Sequence, residues 1–414
     1  MEICNSRGKV DDRTMAERAC IALSCLSLAV SCGRSGALHA NDGGVRDGAA
    51  VVQPDAEICC SAALRGAFLQ TGSMTAARLG HAASLLGDGR VLIVGGEDLK
   101  DSSLRAGTAE IFDSRAGIFT ATGSLPEVRS YSTATLLENR RVLVAGGMAG
   151  ISVGGTSDVQ AELYDPQTGM FSETGRLTAG QRVYSAATLL PDGNVLVTGG
   201  LPLVSQAPVD PHADLYDVGA GVFKTTGNMT VARFQHTGIL LPNGNVLVAG
   251  GNGNGSVNAS AELYDPSTGT FESTASMMVA RYSHTATLLG DGRVLIAGGA
   301  DTNNKALGSA ELYDPATGGF MATGSIIESR FDHSATLLCD GTVLIVGGSG
   351  GNGVVLRSAE LYDPQTGTFR AAVGGLAGSG RSGHTATRLC CGAVLIAGGT
   401  ADSMTYLSTA ELYQ

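Results

Sequence analysis

The sequence predicts an all-β chain closed into a ring: a seven-bladed β-propeller with four antiparallel strands per blade. Three observations lead there. A segment of the type RYSHTATLLGDGRVLIAGG, Arg281 to Gly299, recurs seven times. Its arginines, Arg78, Arg129, Arg182, Arg233, Arg281, Arg330 and Arg381, stand 51, 53, 51, 48, 49 and 51 residues apart, which is the length of one four-stranded blade. Outside the first 32 residues, no segment carries a sustained 3.6-residue apolar period.

Each copy divides into four runs. The first, His284 to Leu289 in the fifth copy, alternates and is rich in β-branched residues, as a strand requires. Asp291-Gly292 follows as a tight turn, glycine accepting the positive φ of a hairpin. The second run, Val294 to Ala297, is apolar throughout, so both its faces must be covered. It ends in Gly298-Gly299. The third is Ala310 to Asp314, closed by a turn from Pro315 to Gly318. The fourth begins at Phe320, reaches Thr323-Gly324 and crosses to the next arginine. Turn signals about a dozen residues apart suit antiparallel blades and exclude βαβ units.

Fourth-strand phenylalanines number only six, Phe119, Phe171, Phe223, Phe271, Phe320 and Phe369, and the sequence stops at Gln414 after the seventh third strand. The missing one is Phe68, ahead of the first arginine. The N-terminal strand is therefore expected to complete the last blade, closing the ring and removing its open edges.

The glycine pairs, the third-strand tyrosine and the aromatic spacing resemble the kelch repeat, and residues 66–414 resemble the propeller domain of galactose-oxidase-like proteins. One departure is that phenylalanine stands where kelch repeats usually carry tryptophan, and the chain has no Trp. The resemblance to galactose oxidase implies a copper centre. That centre also needs a ligand from a further C-terminal domain and a cysteine-linked tyrosine, and no cysteine lies in the crossing segments. No metal, cofactor or catalytic residue is therefore expected.

Residues 15–32, MAERACIALSCLSLAVSC, read as a signal peptide with Arg18 before an apolar stretch, so Met15 is the expected start and 1–32 the leader. Leu28 to Cys32 resembles a bacterial lipobox, which implies lipidation of Cys32; ordinary cleavage further on, for instance after Ala40, is the alternative. Residues 33–65 read as a Gly/Ala-rich tether. The expected location is the outer membrane or cell surface as a lipoprotein, otherwise periplasmic or secreted, with membrane contact through the lipid anchor alone and a monomeric state. Net charge is −11 and only four of 27 basic residues are lysine, which excludes a nucleic-acid phosphate binder. Cys59 and Cys60 precede the closing strand, and Cys390 and Cys391 occupy a turn of the seventh blade. A disulfide between the two pairs would staple the ring in an oxidising compartment.

A residue present in every copy serves folding, whereas a ligand without sevenfold symmetry must be met by residues that differ. The seven arginines are matched by seven third-strand acids, Glu110, Glu162, Asp214, Glu262, Glu311, Glu360 and Glu411, so they are expected to form a structural ring of ion pairs. Histidine follows the arginine by three in five copies, as His81, His236, His284, His333 and His384, with Ser132 and Ser185 in the others; this reads as structural hydrogen bonding. The copies differ in the two residues after each arginine and in the loop after each glycine pair. Candidate ligand-binding residues are Tyr131, Tyr184, Phe234, Gln235, Tyr282, Phe331 and Asp332. Strand alternation predicts that Tyr131 and Tyr184 face away from Phe234, Tyr282 and Phe331, so that only one set lines the opening. The function expected is non-catalytic binding or scaffolding at the cell envelope, with a protein or glycan partner. The alternative is a galactose-oxidase-like or other carbohydrate-active enzyme.

Overall fold

A computed structural model describes residues 66–97, 107–149, 160–203 and 208–414. The leader with Cys32, the tether, and Cys59 and Cys60 lie outside the described residues. Seven four-stranded antiparallel sheets follow one another, each with consecutive strands adjacent. In the fifth blade they are Thr285–Leu288, Val294–Ala297, Ala310–Asp314 and Gly319–Ala322. The seventh consists of Thr385–Arg388, Val394–Ala397 and Ala410–Tyr413 plus Phe68–Gln70. Phe68 pairs with Tyr413 and Gln70 with Glu411, so the ring closes through the first strand. Among the described residues the helical content is a single 3-10 turn at Gly351–Gly353, and no helix is long and apolar enough to cross a membrane.

The second strands carry the core. Val294 to Ala297 and their counterparts, such as Val91 to Val94 and Val343 to Val346, are fully buried because both faces pack on neighbouring blades. In every blade a third-strand aromatic lies directly opposite a fourth-strand phenylalanine, from Phe112–Phe119 at 4.8 Å to Phe68–Tyr413 at 5.0 Å. Phenylalanine therefore fills the cross-strand slot in all seven blades.

Neighbouring blades are joined by groups that recur in the sequence. The tyrosine hydroxyl of one blade meets the fourth-strand threonine of the blade before it, as in Thr226–Tyr264 (2.8 Å) and Thr323–Tyr362 (2.9 Å). In six of the seven pairs the second glycine donates to the carbonyl of the next blade's arginine, as Gly251 to Arg281 and Gly299 to Arg330. The first glycine is there for room: a Cβ on Gly250 would stand 2.6 Å from the Arg281 carbonyl oxygen and 2.6 Å from the His284 ring.

Cys390 is disulfide-bonded, and its expected partners lie outside the described residues. Cys339 is an exposed thiol outside any disulfide.

Candidate functional site

Each arginine stands at the start of its first strand or just ahead of it, on one face of the disc, and each second strand returns to that face. The crossings and the loops after the glycine pairs therefore share one side, and the Asp-Gly and Asp-Pro turns share the other. All seven arginines are at most 3% exposed. Six of them send a guanidinium nitrogen to the first glycine carbonyl of their own blade, at 2.7 to 3.1 Å. All seven reach the third-strand acid: Arg281–Glu311 is 2.8 Å and Arg330–Glu360 2.7 Å, Arg182 pairs with Asp214, and Arg129–Glu162 is longest at 3.8 Å. These cations are committed beneath the surface and do not project into the opening.

The histidines also join blades. Nε2 of His284 meets Thr237 Oγ1 of the preceding blade at 3.1 Å; His333 meets Thr285, His384 meets Ser334, and His81 meets Thr385 across the closure. Where the third blade has Ala186 at this position, His236 turns to Thr198 instead. Burial, with the nearby arginines, holds the imidazoles neutral, His81, His236 and His333 with pKa lowered to about 3.

The opening is set by the residue two after each arginine. Gly80, Tyr131, Tyr184, Gln235, Ser283, Asp332 and Gly383 all have positive φ, between 50° and 67°. The residue before them continues the ladder, as in the bridges Leu79–Glu97, Phe234–Asn252 and Tyr282–Ala300, and the left-handed residue then interrupts it. Their amides link blade to blade: Tyr131 donates to Gly80, Gln235 to Tyr184, Ser283 to Gln235, Asp332 to Ser283 and Gly383 to Asp332, at 2.6 to 3.1 Å. A chain of main-chain bonds through successive blades forms a collar around the channel mouth.

The left-handed turn overturns the expectation that the two aromatic sets face apart. Alternation holds only while the backbone is extended. Tyr184, on the collar, lies 6.4 Å from Phe234, one residue before it, and 4.6 Å from Tyr131. Phe234 of the second set thus meets Tyr184 of the first. The collar is lopsided. Tyr131 lies over Gly80, where a Cβ would come within 2.8 Å of its ring, and Leu79 comes within 2.8 Å of the Cβ position of Gly383. Glycine adopts this conformation freely, whereas a tyrosine there costs on the order of 1–2 kcal/mol.

Other groups at the mouth escaped the sequence reading. Glu97, after the first glycine pair, accepts from the Tyr131 hydroxyl at 3.4 Å, and Tyr282 donates to Asn304 at 2.7 Å. Burial raises the Tyr131 and Tyr184 phenols, with each other's rings and Glu97 nearby. Burial also raises the Asp332 carboxyl, the Ser283 hydroxyl offsetting part of the effect. Candidates Tyr131, Tyr184, Phe234, Gln235, Tyr282, Phe331 and Asp332 all sit on the collar or one residue before it. A cleft of about 410 Å³ lies on the opposite face, between the turns of blades five and six. Its acids are engaged locally, Asp291 with Arg293 and Asp340 with Thr342, so the cleft offers little free chemistry.

Comparison with known proteins agrees with this geometry. The Kelch motif family matches residues 330–375, the crossing and strands of blade six. A spermatocyte protein of Caenorhabditis elegans, spe-26, is 31% identical over 122 residues, 28% of this chain and 20% of its own length; the chain thus spans about a fifth of that relative. A fungal alcohol oxidase of the AA5 family, solved with copper, superposes with a TM-score of 0.63 over 84% of this chain and 75% of its own, at 14% identity. At that identity the likeness concerns the fold. Among the described residues no group of three or more histidines, cysteines or acids stands where it could hold a metal, and the five histidines of the repeat spend Nε2 on hydroxyls, so these residues do not fit a copper centre. The chain is a seven-bladed β-propeller of four-stranded antiparallel blades, carrying a Kelch motif at residues 330–375 and sharing its fold with the AA5 oxidase.

Proposed function

We propose that this propeller is a non-catalytic binding or scaffold module that recognises its partner, a protein or a glycan, through the arginine-crossing face. One observation carries the reading. Strands, ion pairs and blade-to-blade bonds repeat around the ring, whereas the collar runs Gly, Tyr, Tyr, Gln, Ser, Asp, Gly. The residues that differ most from blade to blade thus lie where an asymmetric ligand would be read. Kelch-type propellers serve as rigid frames on which such differences are displayed.

The test is capture of a ligand from envelope extract on the immobilised chain. Tyr282→Ala with Phe331→Ala should abolish capture with the melting temperature kept; capture unaltered by both would remove this face from consideration. We also propose that residues 15–32 export the chain and that Cys32 carries a lipid. Cys32→Ala should then release it from the membrane fraction.

A further inference from the structure

The collar bonds make five of the seven steps around the ring. Among the described residues neither Gly80 donates to Gly383 nor Tyr184 to Tyr131. At the second of these steps side chains join blades two and three instead. The rings of Tyr131 and Tyr184 stand 4.6 Å apart and are tilted by 46°. Both residues hold left-handed backbone, at φ 58° and 59°. Glycine, glutamine, serine and aspartate fill the same column in the other blades, so the collar itself does not require tyrosine. Two strained residues thus present two phenols to each other on fixed backbone.

No other two tyrosine rings touch among the described residues, which include all ten tyrosines of the chain. The third-strand tyrosines meet phenylalanine, as Tyr264 meets Phe271 and Tyr313 meets Phe320. The Tyr131 hydroxyl donates to Glu97 at 3.4 Å. Oxidation of a phenol removes a proton with the electron, and a carboxylate within reach is placed to take it.

We propose that Tyr131 and Tyr184 are the site of an oxidative cross-link, a dityrosine bridge that fastens blade two to blade three at the channel mouth. The oxidant is a peroxide acting through a peroxidase. Each phenol gives up one electron and its hydroxyl proton, leaving two tyrosyl radicals. The radicals form one bond between Cε carbons, and the hydrogens displaced from those carbons return to the two oxygens. In sum two hydrogens leave the protein and one hydrogen peroxide becomes two waters. Rings already in contact need no bimolecular encounter, so this pair couples ahead of tyrosines on separate molecules. The bridge spans a step that the main chain leaves open and limits how far the two blades can part. It forms or fails whether or not this face binds a ligand.

Treatment of the dilute full chain with a peroxidase and hydrogen peroxide tests it. The expected product is a monomer lighter by two hydrogens and showing dityrosine fluorescence. Its proteolytic digest should join the peptides carrying Tyr131 and Tyr184, and its melting temperature should exceed that of the untreated chain. Tyr131→Phe keeps a ring over Gly80 and should abolish the fluorescence with the melting temperature of the untreated protein kept. Tyr406→Phe, which alters the other tyrosine near Tyr131, should leave the fluorescence intact. No cross-link, a link between other tyrosines or only between separate molecules, or undiminished fluorescence in Tyr131→Phe overturns the proposal.

Discussion

Blades two and five carry the same arginine and the same glutamate yet hold them differently. In blade five, Glu311 accepts from Arg281 at 2.8 Å and from the amides of Met278 and Val279 at 2.7 and 3.2 Å. Those amides belong to the segment crossing from the previous blade, so one carboxylate ties crossing, first strand and third strand together. In blade two the residue matching Met278 is Pro126, which has no N–H to give. Glu162 Oε2 is buried without a hydrogen-bond partner among the described residues, and Arg129 stands off at 3.8 Å. Burial lifts the Glu162 carboxyl to about 7, Arg129 offsetting only part, with Glu173 and Glu127 adding to the rise. A buried ion pair stabilises only when its remaining lone pairs are met. One missing amide separates a tie from a strained site.

The largest expected effect lies in blade five. Arg281→Ala leaves Glu311 buried and unpaired and should cost about 3–5 kcal/mol, read from the shift in chemical denaturation; Arg129→Ala should cost clearly less, and equal losses would erase the contrast. Next come the aromatic pairs. Phe171→Ala and Phe320→Ala should each cost roughly 2 kcal/mol, below a fully buried phenylalanine because both are partly exposed. The two losses should match, since both pairs stand at 4.9 Å; a mismatch would show that the difference between the blades extends beyond the ion pair. Smaller is Pro126→Thr. A restored bond to a charged acceptor contributes about 1.5–3 kcal/mol, and loss of proline rigidity removes about 0.4–1. The net gain should be on the order of 1 kcal/mol, and no gain would mean that the amide is not the cause.

Acidity should separate the blades in sign. Glu162 titrates higher folded than unfolded, so its contribution is present below pH 4.5 and is lost as pH rises through about 7. Glu162→Gln should therefore raise the melting temperature at pH 8 and leave it unchanged at pH 4. His284, held well below 6.5 chiefly by burial, contributes above pH 6.5 and loses that contribution as pH falls. His284→Ser, the residue that blade two carries as Ser132, should flatten the acid side of the stability profile; an unchanged acid limb would place the acid sensitivity elsewhere.

Strands, closure and the arginine–acid pairing were legible because each is stated seven times. Val294 to Ala297 and its copies name the core, and the misplaced Phe68 names the closing strand. The collar was less legible. Two glycines, a serine and an aspartate in one column, at Gly80, Gly383, Ser283 and Asp332, are a signal for left-handed backbone; the tyrosines in the same column disguise it as strand. Glu97 was missed because its approach to Tyr131 depends on that turn. Pro126 is visible in the sequence, but its effect on Glu162 requires knowing which amide the acid accepts from.

Phe68 finds Tyr413 only after more than three hundred further residues have been made. At ribosomal rates that wait is on the order of tens of seconds. Throughout it the growing disc resembles an open crescent, with a lone N-terminal ribbon at one tip and an unmatched strand at the other. Such tips are adhesive to sister chains. Until that pairing forms, both tips stay open to such contacts, and whatever shields the ribbon meanwhile protects the ring.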